Sequence, residues 1–93
     1  MLNPPAIDIP LSDLPPGAAA RVTSVSATNS KAPAEVSRRL AELGFLPGEA
    51  VRIVARGMLS RAPIAVRIGT GTFALRLFEA ACIRVRPEQP QLP

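Results

Sequence analysis

The stretch "RRLAELGFLPGEAVRIVARG" (Arg38–Gly57) runs a helix pattern, a stop, a tight turn and a strand pattern together without a gap. Leu40 and Leu43, with Val36 just upstream, recur at i, i+4 and i+7, which lays one apolar stripe along a helix. Gly44 supplies the left-handed residue that ends a helix. Phe45 then stands where a Schellman motif sets an apolar side chain against the third-last helical position, Leu40. Pro47-Gly48 fits the centre of a type II turn, because proline presets φ and glycine accepts φ > 0. In "AVRIVAR", Val51, Ile53 and Ala55 alternate with Arg52, Val54 and Arg56, the mark of a half-buried strand. On the outer helix face, Glu35 stands four residues before Arg39 and Arg38 four before Glu42, a spacing that suits surface ion pairs.

Downstream, the strand pattern repeats. Ile64, Val66 and Ile68 alternate with Ala65 and Arg67; Phe73, Leu75 and Leu77 alternate with Ala74 and Arg76. "GTG" (Gly69–Gly71) between them reads as a hairpin loop. "FEAA" allows one helical turn, and "CIRVR" makes a last strand with Ile83 and Val85 inward and Arg84 and Arg86 outward. Cys82 opens that strand as a partly covered small hydrophobe.

Upstream, "AARVTSVSA" (Ala19–Ala27) is β-rich, but Val22 and Val25 are out of phase; a bulge or a strand ending near Ser24 accounts for that. "TNSKAP" is loop, with the helix starting at Ser30 or around Pro33. "PLSDL" predicts a single helical turn capped by Ser12. The Pro-rich opening, residues 1–10, reads as an extended arm and residues 87–93 as a tail, leaving 11–86 as the folded domain. The sum is a mainly β fold: about five short strands, one α-helix and a short helical turn, closed most economically as a small, partly open barrel.

Composition narrows function. Of 93 residues, 47% are hydrophobic but only 3% aromatic, so the core is Val, Ile, Leu and Ala. No apolar run reaches the roughly 20 residues of a membrane span. The opening residues lack a signal-peptide pattern. With one cysteine the chain forms no internal disulfide, and a cytoplasmic location is the expectation. There is no histidine, the commonest general base and transition-metal ligand. Asp8 and Asp13 fall in or near the arm, Glu35 and Glu42 on a helix face, and Glu49 in a turn, so no acid pair is set for catalysis. "GTGTF" lacks the lysine and the strand-to-helix context of a phosphate loop. The reading is a non-enzyme without a cofactor, with weak divalent-cation binding by surface carboxylates left open.

Net charge is +4, and from Val51 to Arg86 seven arginines stand against one acid, Glu79. A basic sheet face implies either a solvated surface or an anionic partner.

The order "LAELGFLPGEAVRIV", a Pro63-Ile64 strand and "FALRLFEAACIRV" resembles the ferrous iron transport protein A (FeoA) family. The matching residues are Leu40, Leu43, Gly44, Phe45, Pro47, Gly48, Val51, Ala74, Leu75, Arg76, Ala80, Ile83 and Val85. "MLSRAPI" (Met58–Ile64) departs from the family's usual Pro-Leu-Gly-Asp-Pro-Ile, with Arg61 close to where the acid would be. The resemblance implies an SH3-like barrel that serves the FeoB permease, a membrane protein with a cytosolic GTP-binding domain, by binding its cytosolic part and modulating transport or nucleotide hydrolysis. The fold alone does not fix the job, since a similar domain ends some metal-dependent repressors.

The candidate partner surface is Arg38, Arg39 and Glu42 on the helix, Leu46 at the corner, and Met58, Leu59 and Arg61 in the following loop. Apolar residues in turns suit a partner, although Leu46 could instead tuck onto the barrel rim. Two rivals stand beside this reading. One is a nucleic-acid-binding or metal-regulator-type module, disfavoured by the scarcity of stacking aromatics. The other is a homo-oligomer exchanging strand edges or Pro-rich arms.

Overall fold

The computed structural model describes residues 8–26, 34–57 and 62–88. Its strands are β1 (Ile9–Pro10), β2 (Ala19–Val25), β3 (Ala50–Arg56), β4 (Ile64–Ile68), β5 (Gly71–Leu75) and β6 (Ile83–Pro87). The helices are α1 (Ala34–Leu43) and α2 (Leu77–Ala81), with a single 3-10 turn at Leu11–Asp13. All pairings are antiparallel, in the order β1-β6-β2-β3-β4-β5, which makes one open sheet curled around a shared core.

The sixth strand is the short β1, whose two residues sequence placed in the arm; Ile9 faces Val85 and Pro10 faces Arg84. Proline has no N–H to offer a ladder, so it is tolerated here because β1 is an edge strand. Beside it, the 3-10 turn forms as expected but without Ser12 as its cap: Pro10 holds the cap position and no side chain bonds there. Leu11 and Leu14 are buried instead, so burial rather than capping holds the turn. The start of α1 expected at Ser30 or Pro33 lies outside the described residues.

Two bulges explain where alternation fails. The register of β2 against β6 shifts between Val22 and Ser24, which resolves the phase mismatch of Val22 and Val25. The register of β3 against β4 shifts between Ile53 and Ala55. Val51 and Ile53 therefore face the core as read, but Ala55 turns outward and Arg56 becomes half-buried. Its guanidinium donates to the carbonyls of Ser12 at 2.7 Å and Leu14 at 2.5 Å, tying β3 to the 3-10 turn.

The strand over Phe73–Leu77 ends early, since Leu77 opens α2. Cys82 is likewise the C-cap of α2 and not the first residue of β6. It is buried among the core residues, and its thiol donates to the Phe78 carbonyl at 3.2 Å. The hairpin loop is Gly69-Thr70, with Gly69 at φ +58° and Gly71 already paired to Ile68.

Candidate interaction surface

Backbone hydrogen bonds lock the corner between α1 and β3. Gly44 N–H donates to Ala41 at 3.0 Å and Phe45 N–H to Leu40 at 3.0 Å, the two bonds of a Schellman motif, with Gly44 at φ +116°. Leu40 and Phe45 are both fully buried, and Phe45 meets Phe73 edge to face with centroids 6.4 Å apart. Glu49 N–H donates to Leu46 at 3.0 Å and closes the type II turn, where Gly48 has φ +92°. Gly48 N–H reaches the Val22 carbonyl at 2.8 Å, fixing the turn to β2.

Leu46 sits between the two motifs, its N–H on the Gly44 carbonyl and its carbonyl on Glu49. Its backbone is held from both sides while its side chain remains 48% exposed, so it does not tuck onto the rim. An apolar side chain on a fixed backbone needs little further ordering to bind a partner.

The second helix is bound to the first through charge. Glu79 is the one buried acid among the described residues. Its Oε1 accepts the backbone N–H of Arg76 at 2.9 Å, and its Oε2 accepts Nη1 of Arg39. Arg76 has no acceptor on its side chain, so the reciprocal half of this N-terminal cap comes from its carbonyl, which accepts Glu79 N–H at 3.0 Å. Sequence expected Arg39 to pair with Glu35 along α1. It crosses to α2 instead, because a carboxylate out of water gains more from a charged donor than an exposed one does. Among the described residues neither α1 surface pair forms.

The expected surface is thus only partly assembled. Arg38 and Glu42 are exposed on α1 next to the Leu46 corner, whereas Arg39 serves as a clasp. Met58, Leu59 and Arg61 lie outside the described residues. Sequence reasoning missed two contributors. Phe78 is 37% exposed on α2, and with Pro63, Arg76 and Leu77 it lines a cleft of about 690 Å³. Glu79 was visible only as the lone acid in an arginine-rich half. Its place at the third position after the Arg76 cap was the available signal.

Burial, and secondarily the charge of Glu79, pushes the Cys82 thiol up, so it is a poor nucleophile. Among the described residues no three His, Cys, Asp or Glu side chains converge on a metal-ion position. No helix among them is long and apolar enough to cross a membrane.

The family model of the FeoA domain matches residues 9–87. No curated protein matches. Among solved structures, FeoA of Stenotrophomonas maltophilia complexed with zinc is 43% identical, with a TM-score of 0.69 over 81% of this chain and 86% of that one. It is described as a prokaryotic SH3-domain protein suggested to act as a ferrous iron transport activating factor. FeoA of Chlorobium tepidum is 31% identical, with a TM-score of 0.76 over 90% of this chain and 74% of that one. A manganese-dependent transcriptional repressor shares the fold at a TM-score of 0.74 and 24% identity, over 91% of this chain and 44% of that one.

Proposed function

We propose that this chain, which belongs to the FeoA family, is a non-enzymatic accessory factor of ferrous iron transport that docks on the cytosolic part of an FeoB-type permease. The family is associated with ferrous iron transport, and this reading adds the partner and the mode. Binding there would modulate transport or GTP hydrolysis, with the reacting groups supplied by the permease.

The observation that carries the reading is the Leu46 corner. A large apolar side chain is held out on a backbone fixed by a Schellman motif and a type II turn, beside the exposed charges of Arg38 and Glu42. Natural interfaces combine such an apolar anchor with a charged rim, and small ones bind weakly enough to reverse. The cleft beside Phe78 offers a second apolar contact on the clasped α2. The Arg39–Glu79 pair ties α1 to α2, so the two apolar contacts are carried by helices held to each other.

The test is chemical-shift mapping of the labelled protein against the isolated cytosolic domain of the permease. Shifts concentrated at Arg38, Glu42, Leu46 and Phe78 are expected. Shifts confined to the outer face of the sheet, or none at millimolar concentration, would sink the reading.

A further inference from the structure

The outer face of the sheet carries charge that the fold itself does not explain. Arg21 on β2 lies directly opposite Arg86 on β6, and Arg52 on β3 directly opposite Arg67 on β4. All four are exposed. Their neighbours along each strand (Val22, Val51, Ile53, Val66, Ile68 and Val85) are buried, so alternation puts the four arginines on one face. The strand order β6-β2-β3-β4 then sets the two pairs in a stepped row across three strand spacings, roughly 14 Å, with Arg52 two residues along β3 from the position opposite Arg21.

Like charges directly opposite each other in a sheet repel. Only part of this repulsion is relieved. Arg21 is paired with Glu88 at 3.0 Å, and Arg52 donates to the Gly17 carbonyl at 2.9 Å. Among the described residues Arg52, Arg67 and Arg86 have no carboxylate partner, and Arg67 makes no side-chain hydrogen bond. Between Arg52 and Arg67 lies a shallow cleft of about 230 Å³, floored by Ala19, Ala50 and Gly69 and edged by Glu88, the partner of Arg21. Small residues there leave the guanidinium groups open to an incoming anion.

We propose that this arginine row is an adhesion face for the anionic phosphate headgroups of a phospholipid surface. Guanidinium groups bind phosphate oxygens in planar, two-pronged fashion. The cleft offers Arg52 and Arg67 beside Ala, Gly and the buried Val51, and its one acid, Glu88, is already paired with Arg21; it holds no large exposed apolar anchor, which a protein interface would need at its centre. It offers no stacking aromatic either, which a single-stranded nucleic acid would need. A lipid surface needs only clustered basic charge, since each basic side chain near an anionic leaflet adds to attraction. The protein adheres this way without inserting. Arg21 touches the turn after Leu46 through the Gly48 carbonyl at 2.9 Å, whereas Arg52 and Arg67 make no described side-chain contact with that turn, so variants at these two test adhesion independently of docking on a permease.

The experiment is sedimentation of the full chain with vesicles free of any other protein. One set is phosphatidylcholine alone and the other equal parts phosphatidylcholine and phosphatidylglycerol. Binding to the anionic set alone at low salt, lost at roughly 0.5 M salt, is expected. Each arginine neutralised should weaken partitioning roughly fivefold, so Arg52→Gln/Arg67→Gln falls more than tenfold below wild type. The double lysine variant, Arg52→Lys/Arg67→Lys, should keep binding within about fivefold of wild type. Arg67→Gln alone removes no described contact, which guards against a folding artefact. Equal binding to neutral vesicles, equal binding by the glutamine variant, or tighter binding to duplex DNA at the same salt would each overturn the proposal.

Discussion

Arg39 on α1 and Glu79 on α2 form an ion pair of unequal burial: the arginine side chain is 56% exposed, the glutamate side chain 6%. The two ends of the pair therefore carry different penalties. Removing the arginine strands a carboxylate away from water, whereas removing the glutamate frees an arginine that water solvates at once. Arg39→Ala should cost about 1–2 kcal/mol, a discounted share of a fully buried pair because the arginine half is wet. Glu79→Gln keeps the shape and the acceptor for Arg76 N–H and should cost less than Arg39→Ala. Urea unfolding of both variants checks the order; Arg39→Ala equal to wild type would show that the clasp contributes nothing.

The same pair alters how mutants of α1 are read. Charge reversal at Arg39 breaks the clasp as well as any contact with a partner, so it confounds the two. Arg38→Glu changes an exposed charge without a described partner. It should leave the melting temperature within a degree or two and weaken binding to the permease domain roughly three- to tenfold. Thermal melts paired with titration separate these effects.

Gly44 carries the helix stop at φ +116°, and nothing lies within 4 Å of where a Cβ would stand. Space is available, so the cost of Gly44→Ala is conformational and not steric. A loss of about 1–2 kcal/mol is expected, with a lower urea midpoint and an unchanged slope. A neutral result would mean that another residue sets the Leu46 corner.

Much of this was legible because it is local. Gly44, Phe45, Pro47 and Gly48 specify their turns by backbone chemistry alone, and each behaves as its residue type dictates. What was not legible depended on partners distant in sequence. Ala55 and Arg56 exchange sides because of a bulge against β4, and β1 exists only because β6 offers it an edge. Cys82 looked like a strand residue because its parity matched Arg84, while the helix cap is set by where Leu77 leaves the sheet. At the candidate surface, the exposure of Leu46 was one of two open outcomes. The recruitment of Arg39 by Glu79 bridges forty positions and leaves no periodic trace.

Cys82 makes stability depend on alkaline pH. Its folded-state thiol is raised by burial and then by the charge of Glu79. The unfolded thiol ionises near its ordinary value of about 8.5, while the folded one holds its proton. The unfolded state therefore binds fewer protons over that interval, and stability falls as pH rises from the unfolded thiol's pKa through the folded one's. Cys82→Ala should flatten that alkaline decline despite a small packing loss. An unchanged slope in guanidinium midpoints between neutral and alkaline pH would assign the decline to other groups.

The most direct measurement is a calorimetric titration of the full chain, wild type and Leu46→Asp, into the cytosolic domain of the FeoB-type permease. Wild type should bind with a Kd between about micromolar and millimolar, the range of a small reversible interface. Leu46→Asp should melt with wild type, because the side chain is half exposed and its backbone bonds are unaffected, yet bind at least tenfold more weakly. Binding by Leu46→Asp equal to wild type, or no heat from either protein at millimolar concentration, would contradict the claim that this corner is the docking point.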